Sequence, residues 1–282
     1  MSPRLVLAAT AAVLALAAGA PALADPTPDA AAPAQSAQAK PQQPPAKPKA
    51  KAVKATPAER EAADRLEPLQ RATFWTRESE IDPKDAEAGV KLSKALRQLH
   101  RSDEATVAAA RVLVFHPKDV EGLLELARDH IQNQQAFYAL EPLKQAAAQA
   151  PKDWRPLSLT GVAYDELGRP DDARQAWQAA LKLSPDNPAV LSNLAMSLAA
   201  SGDAPKAETL LRKAVQSPQA TVTTRQNLAL VLGLQGKTAE AEKLIRDDVP
   251  PAQAVAEMAW FKTASKPETR TWQSLETPPA SK

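Results

Sequence analysis

From Ala58 to Phe261, apolar residues recur at three- and four-residue spacings, and no stretch alternates apolar with polar positions. That period predicts helices throughout and no half-buried strand. The punctuation between helices falls at one interval. Pro83, Pro117, Pro151 and Pro185 stand 34 residues apart, as do Gly168, Gly202 and Gly236, and Ala105, Ala139, Ala173, Ala207 and Ala241. Three residue types in one phase predict an array of helix–turn–helix units. Proline lacks an N–H and drives its predecessor out of the α region, so Pro117, Pro151 and Pro185 end the second helix of their units. The glycines sit where a first helix must stop in a left-handed cap. Asp171, Asp203 and Thr238 follow as caps or first-turn residues of the second helix. The alanines mark a close approach of paired helices, with Ser93, Ala127, Gly161, Ala195 and Ala229 on the partner helix at the same crossing.

The ends of the chain read differently. Arg4 precedes an apolar stretch from Leu5 to Ala18, and Ala22-Leu23-Ala24 has the small-x-small pattern of a signal-peptidase site. Residues 1–24 therefore read as a signal peptide, and the chain as exported to the periplasm or cell envelope. A retained anchor is the alternative, although Leu5 to Leu23 is only 19 residues with Pro21 among them, a marginal span. Residues 25–57 hold 8 prolines, 10 alanines, 5 lysines and no aromatic residue. Such a segment cannot bury enough apolar surface to offset its ordering entropy, so a disordered linker is expected. Its lysines Lys40, Lys47, Lys49, Lys51 and Lys54 suit a solvated tether, or weak contact with cell wall or anionic lipid.

Composition narrows the chemistry. The 282 residues include no cysteine, so neither a disulfide, a thiolate metal site nor a lipid-modified cysteine is available. Basic and acidic residues number 35 and 33, a balance that gives no electrostatic footprint for nucleic acid. Gly236-Lys237-Thr238 matches the end of a phosphate-binding P-loop, but Val231 stands where that loop needs glycine. His100 occupies an inter-helix turn, His116 precedes a proline and His130 holds a core-type helix position. No two of them share the spacing of metal ligands on a helix. The carboxylate pairs Asp165-Glu166, Asp171-Asp172 and Asp247-Asp248 read as solvated or capping charges. No nucleophile motif is present, and no catalytic activity, cofactor, metal or small-molecule substrate is expected.

The third unit, from Trp154, carries Gly161, Tyr164, Ala173, Trp177, Ala180 and Pro185. In that pattern it resembles the tetratricopeptide repeat (TPR). The resemblance implies an all-α, right-handed solenoid of about five helix–turn–helix repeats at 86–119, 120–153, 154–187, 188–221 and 222–250. Residues 58–82, with Leu66, Leu69, Phe74 and Trp75, read as an N-terminal capping helix. Residues 251–264, with Val255, Met258, Trp260 and Phe261, read as a C-terminal cap, and 265–282 as a tail. The first repeat departs from the pattern at Gly89 and Ala109, the last at Arg225 and Asp248. TPR geometry implies a concave groove lined by first helices, with Leu124, Arg128, Ile131, Val162, Asp165, Met196, Leu230 and Leu234 toward it. Apolar positions with isolated charges suit an extended or helical peptide segment. Leu230 and Leu234 suit packing between helices equally well. Val90 and Lys94 stand where carboxylate-gripping TPR adaptors carry lysine and asparagine, so that mode is not expected.

Three further stretches narrow the resemblance. They are Phe74-Trp75 leading into Glu80-Ile81-Asp82-Pro83, Asn193-Leu194-Ala195 with Ser201-Gly202-Asp203, and Gln226 to Gly236. Together with the Pro250-Pro251 step they are similar to the TadD-type proteins of Flp (tight-adherence) pilus systems. That resemblance implies a scaffold that holds protein segments, such as a pilus secretin or another assembly component, while the secretion apparatus is built. Many such proteins are lipoproteins; this cysteine-free chain departs from them there. The alternatives are a general periplasmic scaffold for envelope biogenesis and a periplasmic chaperone for exported subunits.

Overall fold

The computed structural model describes residues 53–248, and among them there are twelve α-helices and no strand. The signal peptide, the linker before Val53, the 251–264 cap and the tail lie outside the described residues. Two helices come first, α1 (Pro57–Ala63) and α2 (Pro68–Ile81). Five antiparallel pairs follow. They are α3 (Ala86–Gln98) with α4 (Ser102–Phe115), α5 (Val120–Gln132) with α6 (Ala136–Gln149), and α7 (Trp154–Glu166) with α8 (Pro170–Leu183). The last two pairs are α9 (Pro188–Ala200) with α10 (Ala204–Val215), and α11 (Val222–Leu234) with α12 (Thr238–Asp248).

Local chemistry sets each boundary. The first helix of every pair is capped at one register, by Asp85, Asp119, Asp153, Asn187 and Thr221, whose side chains accept from first-turn amides. At the far end of these helices the chain turns through a left-handed residue, at φ 57° in His100, 58° in Gln134, 70° in Gly168, 89° in Gly202 and 76° in Gly236. Glycine fills this position in the last three pairs only. In the first two a side chain tolerates a conformation that costs L-residues about 1–2 kcal/mol.

Packing follows from the small residues. Ala105, Ala139, Ala173, Ala207 and Ala241 are all 0% exposed. Sixteen residues separate a second pair of positions whose sizes complement each other. These are Ala127 with Leu143, Gly161 with Trp177, Ala195 with Leu211 and Ala229 with Ile245, all buried. The third pair takes the largest ring against the smallest residue, and the Trp177 Nε1–H donates to the Ser158 carbonyl at 3.0 Å. Neighbouring first helices touch in series, α3 on α5, α5 on α7, α7 on α9 and α9 on α11, whereas the second helices α4, α6, α8, α10 and α12 do not touch one another. The first helices therefore form the inner rail of a curved stack.

The N-terminal cap is two helices where one was expected. Pro68 opens α2 and holds Glu67 extended at ψ 150°, which ends α1 four residues earlier. The array also holds the end of the segment that composition assigns to the linker. The Ala55 N–H donates to both oxygens of buried Glu78 at 3.1 Å, and Thr56 caps α1. Lys54 lies 2.5 Å from Asp82, so this lysine is tied to α2 rather than to a free tether. Arg60 closes the clamp on Glu78 at 2.9 Å, Asp85 at 2.7 Å and Glu87 at 3.0 Å. Its guanidinium and the Lys91 ammonium both stand 5.6 Å from the ring of Trp75.

Candidate functional site

The inner rail carries the sequence-predicted groove residues, but it does not present all of them. Leu124 is fully buried in one cluster with Leu123, Ala127 and, from α6, Ala139 and Leu143, and offers no surface. Ile131 packs half-buried against the same cluster. Arg128, Val162, Met196 and Leu230 occupy one register position, 34 residues apart. Arg128 is held by Glu125 at 2.5 Å. Val162 is half-buried beside the Trp177 cluster, and Met196 and Leu230 sit half-buried on the core around Leu211 and Leu228. Leu234 is 49% exposed, and Asp165 is exposed.

The rail thus changes character along its length. Its first half is a mesh of charges. Arg97 donates to Glu125 at 2.8 Å, and Arg155 lies 2.6 Å from Glu121 and 2.7 Å from Asp153. Asp129 is fully buried at this joint, accepting from the Ser93 hydroxyl at 2.8 Å with the Arg97 Nε 3.4 Å away. Burial pushes its carboxyl up to about 7, against the pull of Ser93 and Arg97. Beyond Arg155 at the start of α7, the rail positions Val162, Met196, Leu230 and Leu234 are apolar, with Asp165 and Glu166 at the end of α7 and Arg225 on α11 the charged residues left on these first helices. There the side-chain amide of Asn227 donates to Ser192 at 2.9 Å beside Met196 and Leu230. A surface that is apolar at intervals, flanked by amides and then by paired charges, suits a polypeptide segment.

The remaining sequence candidates are accounted for locally. His116 Nε2 lies 2.7 Å from the Lys84 carbonyl, His100 is the turn residue beside Gln132, and His130 is 3.3 Å from Gln135. Lys237 of the Gly-Lys-Thr stretch pairs with Glu208 in the turn between α11 and α12. Among the described residues no group of histidine and carboxylate side chains is arranged to hold a metal ion. Sequence reasoning missed Asp129, Glu78 and the exposed pair Phe137–Tyr138. Only the 34-residue phase of Ser93 could have drawn attention to Asp129, which sits two residues beyond the small-residue position of the next unit.

Comparison with known proteins agrees with this geometry. Residues 159–221 and 221–249 match two tetratricopeptide-repeat family models. The structure resembles a thermophilic TPR protein of Thermus thermophilus with a TM-score of 0.55 at 22% identity, over 62% of this chain and 94% of that one. It also resembles Pseudomonas aeruginosa pilF with a TM-score of 0.56 at 15% identity, over 72% of this chain and 97% of that one. An uncharacterized protein of Sinorhizobium fredii, y4yS, is 30% identical over 87 residues, which is 31% of this chain and about half (48%) of that relative. Residues 159–249 thus carry tetratricopeptide repeats, and the described helices as a whole pack in the helix–turn–helix manner of that fold.

Proposed function

We propose that this chain is an exported, non-catalytic TPR scaffold that holds protein segments of a Flp (tight-adherence) pilus machine during assembly in the cell envelope. The observation that carries the binding role is the change along the inner rail, from self-paired charges on α3 and α5 to the apolar and amide side chains Val162, Met196, Asn227, Leu230 and Leu234. Paired charges resist desolvation, whereas partly exposed apolar side chains gain about 25 cal/mol per Å² when a partner covers them. The segment is therefore expected over α7 to α11. The pilus assignment is supported by the Phe74 to Pro83, Asn193 to Asp203 and Gln226 to Gly236 stretches. Export is supported by the charged, apolar and small-x-small series of residues 1–24.

Crosslinking in intact cells tests this reading, with the chain tagged after Lys282 and captured from envelope fractions. Recovery of a secretin or an inner-membrane pilus platform protein is expected, with recovery lost on Leu234→Asp. That position is half exposed, so the substitution leaves the core intact. Recovery of cell-wall enzymes, or of many unrelated exported chains, would overturn the pilus role.

A further inference from the structure

Away from the inner rail, the most exposed aromatic feature of the array lies where α6 begins and α7 ends. Phe137 and Tyr138 are 68% and 63% exposed and meet edge to face, 5.8 Å between ring centroids. They form the wall shared by two adjoining clefts of about 580 and 550 Å³. The first cleft runs over the turn residue Gln134 to Glu166, and the second runs between Leu140 of α6 and Leu157 and Tyr164 of α7. Only two tyrosines occur in the whole chain, and both line this feature. A contiguous aromatic surface at this exposure marks a place where something docks.

The two clefts differ in charge: Glu141 and Lys144 offset each other along the second, whereas Glu166 is the charged residue that lines the first. Glu166 is the last residue of α7, where the helix dipole is negative, and Asp165 stands beside it. Among the described residues neither carboxylate has a base within ion-pair distance. The nearby guanidinium of Arg169 is committed, donating to Asp172 at 2.7 Å and lying 4.5 Å from the ring centroid of Tyr164. Partial desolvation raises both carboxyl groups; the Arg174 guanidinium draws Asp165 part of the way back, while the like charge of Asp165 raises Glu166 further. An incoming cation relieves both penalties, and it does so beside the Phe137–Tyr138 pair that lines the same cleft.

We propose that this cleft is a second docking site, for an extended segment of a partner protein that carries a lysine or arginine beside an apolar residue. The cation sits against Glu166 and the Phe137–Tyr138 pair, and the apolar side chain enters between Leu140 and Leu157. Asp165 is the one inner-rail candidate that contributes charge here, and none of the apolar ones lines either cleft, so the apolar stretch of the rail stays free for a different partner, whichever machine the array serves.

Fluorescence anisotropy with the full chain tests this, using a labelled decapeptide of alternating leucine and lysine and its leucine–glutamate counterpart. Only the lysine peptide is expected to bind, about tenfold more weakly to Glu166→Lys and to Tyr138→Ser. Circular dichroism should be unchanged in both variants, whose positions are exposed, and Leu234→Asp should bind as the parent does. Equal binding of the glutamate peptide, undiminished affinity in both cleft variants, equal loss in Leu234→Asp, or no binding at millimolar peptide would each overturn the proposal. Dimerisation in sedimentation that Tyr138→Ser abolishes would assign the cleft to a second copy, and would overturn it too.

Discussion

Replacing Gly161 by alanine opposes two effects at one atom. Alanine is favoured over glycine in a helix interior by about 1 kcal/mol. The added Cβ, however, would stand 2.6 Å from Cδ1 and Cε2 of Trp177. That is well inside the ordinary carbon–carbon contact of about 3.5–4.0 Å. The indole cannot swing away cheaply, being 2% exposed and bonded through Nε1 to Ser158. Overpacking of this kind costs about 1–3 kcal/mol, so Gly161→Ala is expected to lose about 1 kcal/mol net. Trp177→Leu alone leaves a cavity and costs about 2 kcal/mol. Together the two substitutions recreate the Ala–Leu pair found at Ala127 with Leu143 and at Ala195 with Leu211. In the double variant the alanine keeps its helical advantage and loses its clash. The double variant should then fall only about 1 kcal/mol below the parent, a coupling of about 2 kcal/mol between the two sites. Urea unfolding of the four proteins, followed by far-ultraviolet circular dichroism and by tryptophan fluorescence, measures it. Additive losses would refute the size-matching argument, as would a Gly161→Ala variant more stable than the parent.

Three further outcomes follow from named contacts. Gln134→Gly should stabilise the array by about 1 kcal/mol, because Gln134 holds a left-handed conformation that glycine adopts freely; an unchanged or lower melting temperature would count against it. Asp129 binds its proton more tightly folded (about 7) than unfolded (about 4), so its contribution makes stability fall as pH rises from about 4 to about 7 and level off above. Asp129→Asn, which keeps an acceptor for Ser93, should remove that slope and raise stability at mildly alkaline pH; a steeper slope or a loss there would refute the assignment. Glu78→Ala should free the Ala55 amide and one arm of Arg60, exposing α1 to hydrogen exchange at a cost of about 1–2 kcal/mol while α5 and α6 stay protected. Uniform loss of protection would show that the clamp belongs to the global core instead.

The 34-residue phase of proline, glycine and alanine was enough to read the helical pairs, because each of those residues acts on its own backbone or on the nearest helix. Pro117 ends α4 wherever the rest of the chain goes, and a residue as small as Ala173 at a helix crossing needs only its partner helix. Features that depend on several elements at once were not legible. The left-handed turns at His100 and Gln134 have no glycine to announce them, and they persist because the paired helices on either side fix the turn. Leu124 looks like a groove residue by register, yet α6 covers it. Asp129 reads as one more helical aspartate until α3 brings Ser93 and Arg97 to it.

The sequence by itself determined the class of structure and the repeat length, through short-range constraints that need no knowledge of what packs where. Only the tertiary structure decided which side chains remain available. Exposure is set by the curvature that presses the first helices together, by the clamp of Arg60 and Glu78 at one end, and by the junction of α6 and α7 that leaves Phe137, Tyr138 and Glu166 open. Those are sums over distant parts of the chain, and burial and charge pairing at a residue are properties of such sums.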